Sequence, residues 1–225
     1  MKYFYLAEVD NHNILTAWIV LEYFYEFTMK EVEVSLFYKI AVFVVRVFLH
    51  IRFKIKIIGI ENIPEGAAIL AMNHTSNFDG PMVGVHTPRK MFIMGKEELF
   101  KNKFFAKVIH ELGCFPIKRG QADIKSLKYT LRILKEGGLF SIFIEGTRSK
   151  SGEMQEAKKG IGFIVAKSKA PVVPTYIYGT RDSWFKSAGV IFGKPMTFDD
   201  SISHEEIAQR IAVELKKLNP NKELS

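Results

Sequence analysis

The hydrophobic and polar positions along the chain begin with two long apolar stretches that have helical periodicity. Residues 14–27 and 34–51 are almost wholly apolar, and each has one narrow polar stripe. In the second stretch the stripe holds Lys39, Arg46 and His50, which fall on one side of a helix at about 100° per residue. The pattern therefore predicts two apolar helices, each with a single polar edge.

Neither apolar stretch is suited to crossing a bilayer. The first is shorter than the roughly 20 residues that a crossing needs. The second contains Lys39 and Arg46, and each would cost about 2.5 to 3.5 kcal/mol at the bilayer centre. We expect residues 1–52 to form a two-helix hairpin that lies in one membrane leaflet, with the basic stripe toward the headgroups. The alternative is that both helices pack on the protein core.

From residue 53 onward, short apolar runs alternate with amphipathic segments. Strands are predicted at 53–58, 67–72, 91–94, 115–118, 139–144, 172–178 and 190–198. Helices are predicted at 124–136, with Ile124, Leu127, Leu131 and Leu134 on one face, at 160–167, and after the capping box of Ser203 and Glu206. This alternation predicts an α/β domain over residues 53–225, in which helices cover both faces of a mostly parallel sheet.

Composition and charge narrow the class of protein. Hydrophobic residues make up 48% of the 225 residues, which is enough for a sizeable core. The single cysteine, Cys114, excludes a disulfide framework and favours a reducing compartment. A net charge of +8 suggests a polyanionic partner, either nucleic acid, an anionic membrane or a phosphorylated substrate. Because the basic residues are scattered and no nucleic-acid motif is visible, we expect no nucleic-acid partner.

Reactive or phosphate-binding residue types follow four of the predicted strands directly. These segments are 73–79, 95–98, 118–120 and 145–149. In open α/β sheets, ligands bind at the carboxyl ends of the strands. The sequence therefore predicts a ligand site at this edge of the sheet.

The first of these segments places a histidine and an aspartate five residues apart, at His74 and Asp79. That spacing keeps the two side chains apart on a helix or a strand. An irregular turn that leaves the strand at His74 and enters a helix at Asp79 would let them meet. The carboxylate would then fix the imidazole tautomer and leave the other ring nitrogen free to accept a proton, as in a general base.

No nucleophile accompanies this pair in the sequence. The motif G-x-S-x-G is absent, and Ser76 is too close to His74 to be assumed a triad member. Cys114 is interpreted as a small buried hydrophobe. The remaining histidines have no metal-ligand spacing, so we expect no metal site. The base would therefore activate a hydroxyl of the substrate, for direct transfer without a covalent enzyme intermediate.

Four segments, in this order, resemble the motifs of the glycerolipid acyltransferases. They are NHTSNFD at 73–79, GCFPIKRG at 113–120, FIEGTRS at 143–149 and APVVPT at 170–175. The similarity is greatest to the 1-acyl-glycerol-3-phosphate acyltransferases, which convert lysophosphatidic acid to phosphatidic acid. It runs from about Phe53 to Tyr178. Ile144 stands where the family often has proline, a difference that removes no reactive group.

The resemblance implies a role for each matching residue. His74, oriented by Asp79, would deprotonate the acceptor hydroxyl of lysophosphatidic acid, which attacks the thioester of an acyl carrier protein or coenzyme A donor. No cofactor is implied beyond that donor. The substrate-binding residues implied are Lys96 and Arg119 for the phosphate, Glu145 for the glycerol moiety, and Gly146, Thr147 and Arg148 for backbone amides, a hydroxyl and a second cation.

Three classes of function are compatible with these residues. The first is an acyltransferase, acting on lysophosphatidic acid or on another glycerophosphate or lysophospholipid. The second is a lipid-ester hydrolase that uses the same base on water, and the third is a non-catalytic basic membrane-binding protein. The missing nucleophile motif and two phosphate-binding motifs favour the acyltransferase. We expect it to act on the cytoplasmic side of an anionic membrane, anchored in one leaflet by the N-terminal helices.

Overall fold

The fold is described from a computed structural model of residues 34–118, 123–181 and 184–220. The strands are β1 (Phe53–Ile58), β2 (Ala68–Met72), β3 (Met91–Lys96), β4 (Cys114–Ile117), β5 (Leu139–Phe143), β6 (Val172–Tyr178) and β7 (Lys186–Phe192). The α-helices are α1 (Leu36–Arg52), α2 (Asp79–Gly84), α3 (Lys103–Glu111), α4 (Ile124–Lys135), α5 (Lys159–Ser168) and α6 (His204–Lys217). The first predicted apolar helix, 14–27, lies outside the described residues, so the two-helix hairpin stays a prediction.

The described strands form one sheet in the order β1-β7-β6-β2-β5-β3-β4. Neighbouring strands are parallel except for β6 and β7, which are antiparallel. Helices α1 and α2 pack on one face of the sheet, and α4, α5 and α6 pack on the other. The predicted mostly parallel sheet with helices on both faces is confirmed.

Burial along the strands matches their position in the sheet. Every residue of the central strand β2 is buried, as expected for a parallel strand covered on both faces. Strand β1 instead alternates and carries the exposed Lys54 and Lys56 at the edge of the sheet, where lysines discourage further strand pairing. The predicted capping box also forms, since Ser203 Oγ accepts a hydrogen bond from the Glu206 amide at the start of α6.

One predicted strand position and one predicted helix face were wrong. The last strand spans Lys186–Phe192 and not 190–198, because β1 and β7 pair from Phe53 opposite Lys186 onward. On α4, Ile124 is exposed, and the inward face includes Ser126 and Thr130. These hydroxyls are tolerated inside because each donates a hydrogen bond to a backbone carbonyl, at 2.7 Å and 2.9 Å.

Helix α1 turns its charged edge toward the protein, contrary to the prediction that the basic stripe faces headgroups. Arg46 is only 6% exposed, and its Nε donates to the carbonyl of Val85 at 2.9 Å, with Nη2 donating to the same oxygen. That carbonyl lies at the carboxyl end of α2, where a cation is favourable. The outward face of α1 is instead apolar, formed by Leu36, Phe37, Ile40, Val44, Val47, Phe48 and Ile51.

The end of α1 coincides with the predicted domain boundary at residue 52. Leu49 of α1 is nevertheless fully buried in the same core cluster as Phe53 of β1. The helix is therefore an integral part of the packing of the α/β domain. Within the described ranges, no helix has the length and apolar character needed to cross a membrane.

Candidate active site

His74 and Asp79 meet at the carboxyl end of β2, the central strand of the sheet. His74 follows β2 in an irregular turn, and Asp79 is the first residue of α2. His74 Nδ1 lies 2.9 Å from Asp79 Oδ2. The turn and the contact that the sequence predicted are both present.

Four hydrogen-bond donors converge on the Asp79 carboxylate, which is fully buried. Oδ2 accepts from the backbone amides of Thr75 at 2.6 Å and Ser76 at 2.7 Å, as well as from His74. Oδ1 accepts from the hydroxyl of Thr180 at 2.5 Å. An ionised carboxylate only accepts hydrogen bonds, so the ring nitrogen that contacts Oδ2 has to be the donor. Nδ1 of His74 is therefore the protonated nitrogen, and Nε2 carries the free lone pair.

The imidazole ring is held in place by stacking as well as by hydrogen bonding. The ring of Phe143 on β5 lies parallel to that of His74, with centroids 3.7 Å apart and an interplanar angle of 10°. The side chain of His74 is 12% exposed, so the ring lies at the edge of the sheet and not within the core. With Nδ1 occupied by Asp79, Nε2 is the nitrogen left to receive a proton from a substrate.

The loop after β5 forms hydrogen bonds with the main chain of His74. Glu145 is 1% exposed, and its two oxygens accept from the backbone amides of His74 and Gln155, each at 2.8 Å. The amide of Ser149 donates to the His74 carbonyl at 2.8 Å. Burial raises the pKa of the Glu145 carboxyl, and the Gln155 and His74 amides oppose that shift. These contacts give Glu145 a positioning role toward the His74 main chain. Each carboxylate oxygen keeps a further lone pair, so the glycerol contact that the resemblance implies stays a prediction.

The other predicted site residues follow strands that end at the same edge of the sheet. Gly146 has a φ of +71°, which suits glycine, and its amide closes a turn to the Phe143 carbonyl and is thus already engaged. Thr147 and Arg148, after β5, and Lys96, at the end of β3, are exposed. Arg119 lies outside the described residues, so its predicted phosphate contact stays a prediction.

Asp123 fixes both ends of the segment that contains Arg119. Its Oδ2 accepts from the Lys118 amide at 3.0 Å and from the Ser126 hydroxyl at 2.8 Å, and its Oδ1 accepts from the Ser126 amide at 3.0 Å. These donors, the Lys118 amide first, lower the pKa of Asp123 to about 2. The carboxylate thus caps the start of α4 and ties it to the end of β4.

Asp123→Ala should reduce the free energy of unfolding at neutral pH by about 1 kcal/mol, the usual cost of losing a helix N-cap. Because the folded-state pKa lies below the ordinary value of 3.8, the stabilisation is present above about pH 4 and is lost as the pH falls toward about 2. Urea unfolding at neutral pH and at about pH 3 should therefore show a smaller difference between variant and wild type in acid. Asp123→Asn, which keeps a capping oxygen, is the control; equal stability of Asp123→Ala and wild type at neutral pH would refute the capping role.

Two residues that support the histidine were not found from the sequence. Thr180 is 101 positions from Asp79, and the only signal for it is that it follows β6, whose carboxyl end reaches the same edge as that of β2. Phe143 belongs to a strand that was predicted, but stacking on His74 depends on the register that pairs it with Met72. Each contact arises from tertiary structure alone.

The remaining chemistry-bearing side chains do not offer a second reactive centre. Burial raises the pKa of the Cys114 thiol to about 11, so it is a neutral thiol and a poor nucleophile at neutral pH. Across residues 34–118, 123–181 and 184–220, no group of three or more histidine, cysteine or acidic residues is placed to hold a metal ion. The His74–Asp79 pair is therefore the candidate catalytic group in the described part of the chain.

The sequence is similar to a known protein family and to individual members of known function. The sequence profile of the Acyltransferase family matches residues 54–178. A 1-acyl-sn-glycerol-3-phosphate acyltransferase of Bacillus subtilis is 31% identical over 188 residues, which cover 81% of this chain and 93% of the relative. A chloroplast protein of the same name from Arabidopsis thaliana is 32% identical over 133 residues, which cover 57% of this chain and 37% of that longer protein.

A solved structure has the same fold. The crystal structure of the 1-acyl-sn-glycerophosphate (LPA) acyltransferase of Thermotoga maritima superposes with a TM-score of 0.68. The superposition covers 90% of this chain and 87% of the other, at 23% sequence identity. The agreement extends the likeness from the matched motifs to the arrangement of the whole sheet and its helices.

Proposed function

This chain belongs to the Acyltransferase family, and on that basis we propose that it is a lysophosphatidic acid acyltransferase. It transfers an acyl chain from the thioester of coenzyme A or an acyl carrier protein to the sn-2 hydroxyl of lysophosphatidic acid, which gives phosphatidic acid. The names of its relatives support this choice of acceptor. The observation that carries the chemistry is the contact of His74 Nδ1 with a carboxylate that three other donors hold in place.

In the proposed reaction, Nε2 of His74 accepts the proton of the acceptor hydroxyl. The oxygen attacks the thioester carbonyl, and Asp79 stabilises the imidazolium that forms. The tetrahedral oxyanion then collapses, the carbon–sulfur bond breaks, and the imidazolium returns its proton to the departing thiolate. The acyl chain ends as an ester of the acceptor, and the enzyme returns to its starting protonation state without a covalent intermediate.

The phosphate of the acceptor is assigned to cationic residues at the end of β3 or after β4 and β5 in the sequence. Arg119 and Arg148 each carry a guanidinium, whose planar fork suits bidentate contact with phosphate. Lys96 at the end of β3 adds a third positive charge. These roles rest on the resemblance of the motifs and on the convergence of β2, β3, β4 and β5 at one edge.

The purified protein should be tested against a panel of acceptors and donors. We expect phosphatidic acid and free thiol in equal amounts when lysophosphatidic acid is combined with acyl-CoA or acyl carrier protein of varied chain length. Other lysophospholipids and glycerol 3-phosphate test the alternative acceptors. Fatty acid released without an acceptor would identify a hydrolase, and absence of any product would identify a non-catalytic binder. Either result would overturn the proposed function.

We also propose that the enzyme works on the cytoplasmic surface of an anionic membrane, with α1 and residues 14–27 in one leaflet. The support is the outward face of α1, whose seven exposed apolar residues recur at helical spacing. An apolar face of that extent on the outside of a domain is typical of an interaction surface. The net charge of +8 favours an anionic lipid headgroup region.

Val44→Glu, in the middle of the exposed face of α1, should weaken binding to phosphatidylglycerol vesicles by about tenfold or more. The reason is that a charged side chain replaces one of the apolar side chains that would enter the leaflet. Val213→Glu is the matched control, since Val213 is 52% exposed, similar to Val44 at 57%, but lies on α6 across the sheet. Cosedimentation measures both variants. Wild-type binding by Val44→Glu would show that α1 does not enter the lipid.

A further inference from the structure

A second group of exposed apolar residues lies at the start of α3 and in the turn before it. Leu99 and Phe105 are each 47% exposed, and Phe104 is 81% exposed. None of the residues of α3 is buried. We call the segment from Leu99 to Phe105 the α3 tip. Because a phenylalanine this exposed is expelled from water when a partner is available, the α3 tip needs an apolar environment that the described core does not supply.

The α3 tip is surrounded by positive charge. Four exposed lysines lie in or near it in the sequence. Lys96 precedes the α3 tip, Lys101 and Lys103 lie within it, and Lys107 follows it. Two acidic residues, Glu97 and Glu98, lie directly before the α3 tip, and Glu97 is 3.8 Å from the ammonium group of Lys118. An exposed aromatic group with lysines around it matches a lipid surface, in which an apolar layer lies beneath anionic headgroups.

The strand order places the α3 tip on one side of the catalytic histidine. It follows β3, which lies two positions from β2 in the sheet, on the side away from β1. On the other side, Trp184 and Phe185 precede β7, and α1 ends at β1. Because β1 and β7 run opposite to β6, their first residues lie at the edge where β2 and β3 end. Exposed apolar residues therefore lie on both sides of His74 along this edge.

Helices α1 and α3 also lie on the same face of the sheet. Along the sheet, β3 lies on the β4 side of β2, and β4 lies beyond β3 on that same side. Because both connections run the same way across the sheet and such connections are right-handed, α2 and α3 lie on one face. Leu112, which ends α3, packs on the core cluster that contains Val42 and Leu49 of α1. At the far end, Ser35 before α1 donates to the carboxylate of Glu111 in α3 at 3.4 Å.

We propose that the α3 tip is a second membrane contact, in which Phe104 enters the leaflet and the surrounding lysines meet anionic headgroups. The inference rests on the proposed function, because it extends the membrane contact assigned to α1. With α1 on one side and the α3 tip on the other, the catalytic edge faces the lipid. Lysophosphatidic acid then reaches His74 with its acyl chain still in the leaflet.

Fluorescence at position 104 tests the contact directly. Phe104→Trp is placed in a background with Trp18→Phe and Trp184→Phe, which leaves one tryptophan in the chain. On phosphatidylglycerol vesicles its emission should shift to the blue and be quenched by lipids brominated on the acyl chain. An unquenched signal from protein that sediments with the vesicles would overturn the inference and leave the proposed function standing. If the wild-type protein forms no phosphatidic acid, the proposed function fails instead.

Vesicle binding provides the second test. Phe104→Glu should weaken binding to phosphatidylglycerol vesicles by about tenfold, whereas the Val213→Glu control should bind like wild type. Lys101→Ala and Lys103→Ala should each cost about fivefold on these vesicles and have little effect on neutral phosphatidylcholine. If Phe104→Glu leaves vesicle binding unchanged and slows only reactions that use an acyl carrier protein donor, the α3 tip is a protein-docking surface and the inference is wrong.

Discussion

His74→Ala is expected to lower the rate of phosphatidic acid formation by at least about 100-fold, because a general base contributes about 10² to 10⁴ to the rate. The variant should still fold. The main-chain bonds of residue 74 to the Glu145 carboxylate and the Ser149 amide do not need the imidazole. His74 also belongs to neither hydrophobic core cluster, so its removal leaves the members of both clusters in place.

The measurement is the initial rate of phosphatidic acid formation, with circular dichroism to establish that the variant is folded. His110→Ala is the matched control, since His110 is an exposed histidine on α3 outside the catalytic turn. Its rate should equal that of the wild type. A His74→Ala rate within a few-fold of wild type would mean that another group removes the proton.

Asp79→Asn is expected to lower kcat by about 10³-fold or more, since making the carboxylate of a Ser-His-Asp triad neutral lowers kcat by about 10⁴-fold. An amide oxygen at the position of Oδ2 would still accept from the amides of Thr75 and Ser76, so the turn stays formed. The negative charge that stabilises the imidazolium is lost. The effect should therefore fall on kcat rather than on folding.

Steady-state kinetics of Asp79→Asn with the preferred donor should give a low kcat and a KM close to that of wild type. Asp199→Asn removes a charge of the same kind at an exposed position outside the site and is the control. A kcat for Asp79→Asn within tenfold of wild type would contradict the pairing of the two residues in catalysis. Unfolding of the variant would be detected by circular dichroism and thermal denaturation.

The sequence predicted the turn that joins His74 and Asp79 because two local features coincide there. A buried apolar strand ends at Met72, and a helix starts at Asp79, so only a turn connects them. A helix or a strand would keep the side chains of His74 and Asp79 apart, so an irregular turn is the geometry that lets them meet. This is a short-range argument, and its success required no knowledge of the rest of the sheet.

The sequence pattern did not predict the contacts between residues on different strands of the sheet. The hydroxyl of Thr180 reaches Asp79 only because β6 lies next to β2, and neither residue type nor spacing encodes that neighbour. The occupied oxygens of Glu145 have the same origin, since one partner is the His74 amide on the neighbouring strand end. Motif resemblance assigns a residue type to a site, but its hydrogen-bond partners depend on the folded chain.

The orientation of α1 shows a different limit. Helical periodicity correctly grouped Lys39, Arg46 and His50 on one side of the helix, but it does not tell which side faces the protein. The packing of α1 against α2 decides this, because the Val85 carbonyl at the end of α2 binds the Arg46 guanidinium. The apolar face is then directed outward. The proposed membrane contact of α1 therefore rests on the face opposite to the basic stripe that was first expected to meet the headgroups.

The timing of thiol release tests direct acyl transfer most directly. Enzyme is mixed rapidly with acyl-CoA at a comparable concentration, first without and then with lysophosphatidic acid. Free thiol, acyl chain bound to the protein, and phosphatidic acid are each measured over time. We predict no thiol burst and no acylated protein without the acceptor, and thiol release equal to phosphatidic acid once the acceptor is added. One equivalent of thiol released before the acceptor is added, with the acyl chain bound to the protein, would contradict the role assigned to His74.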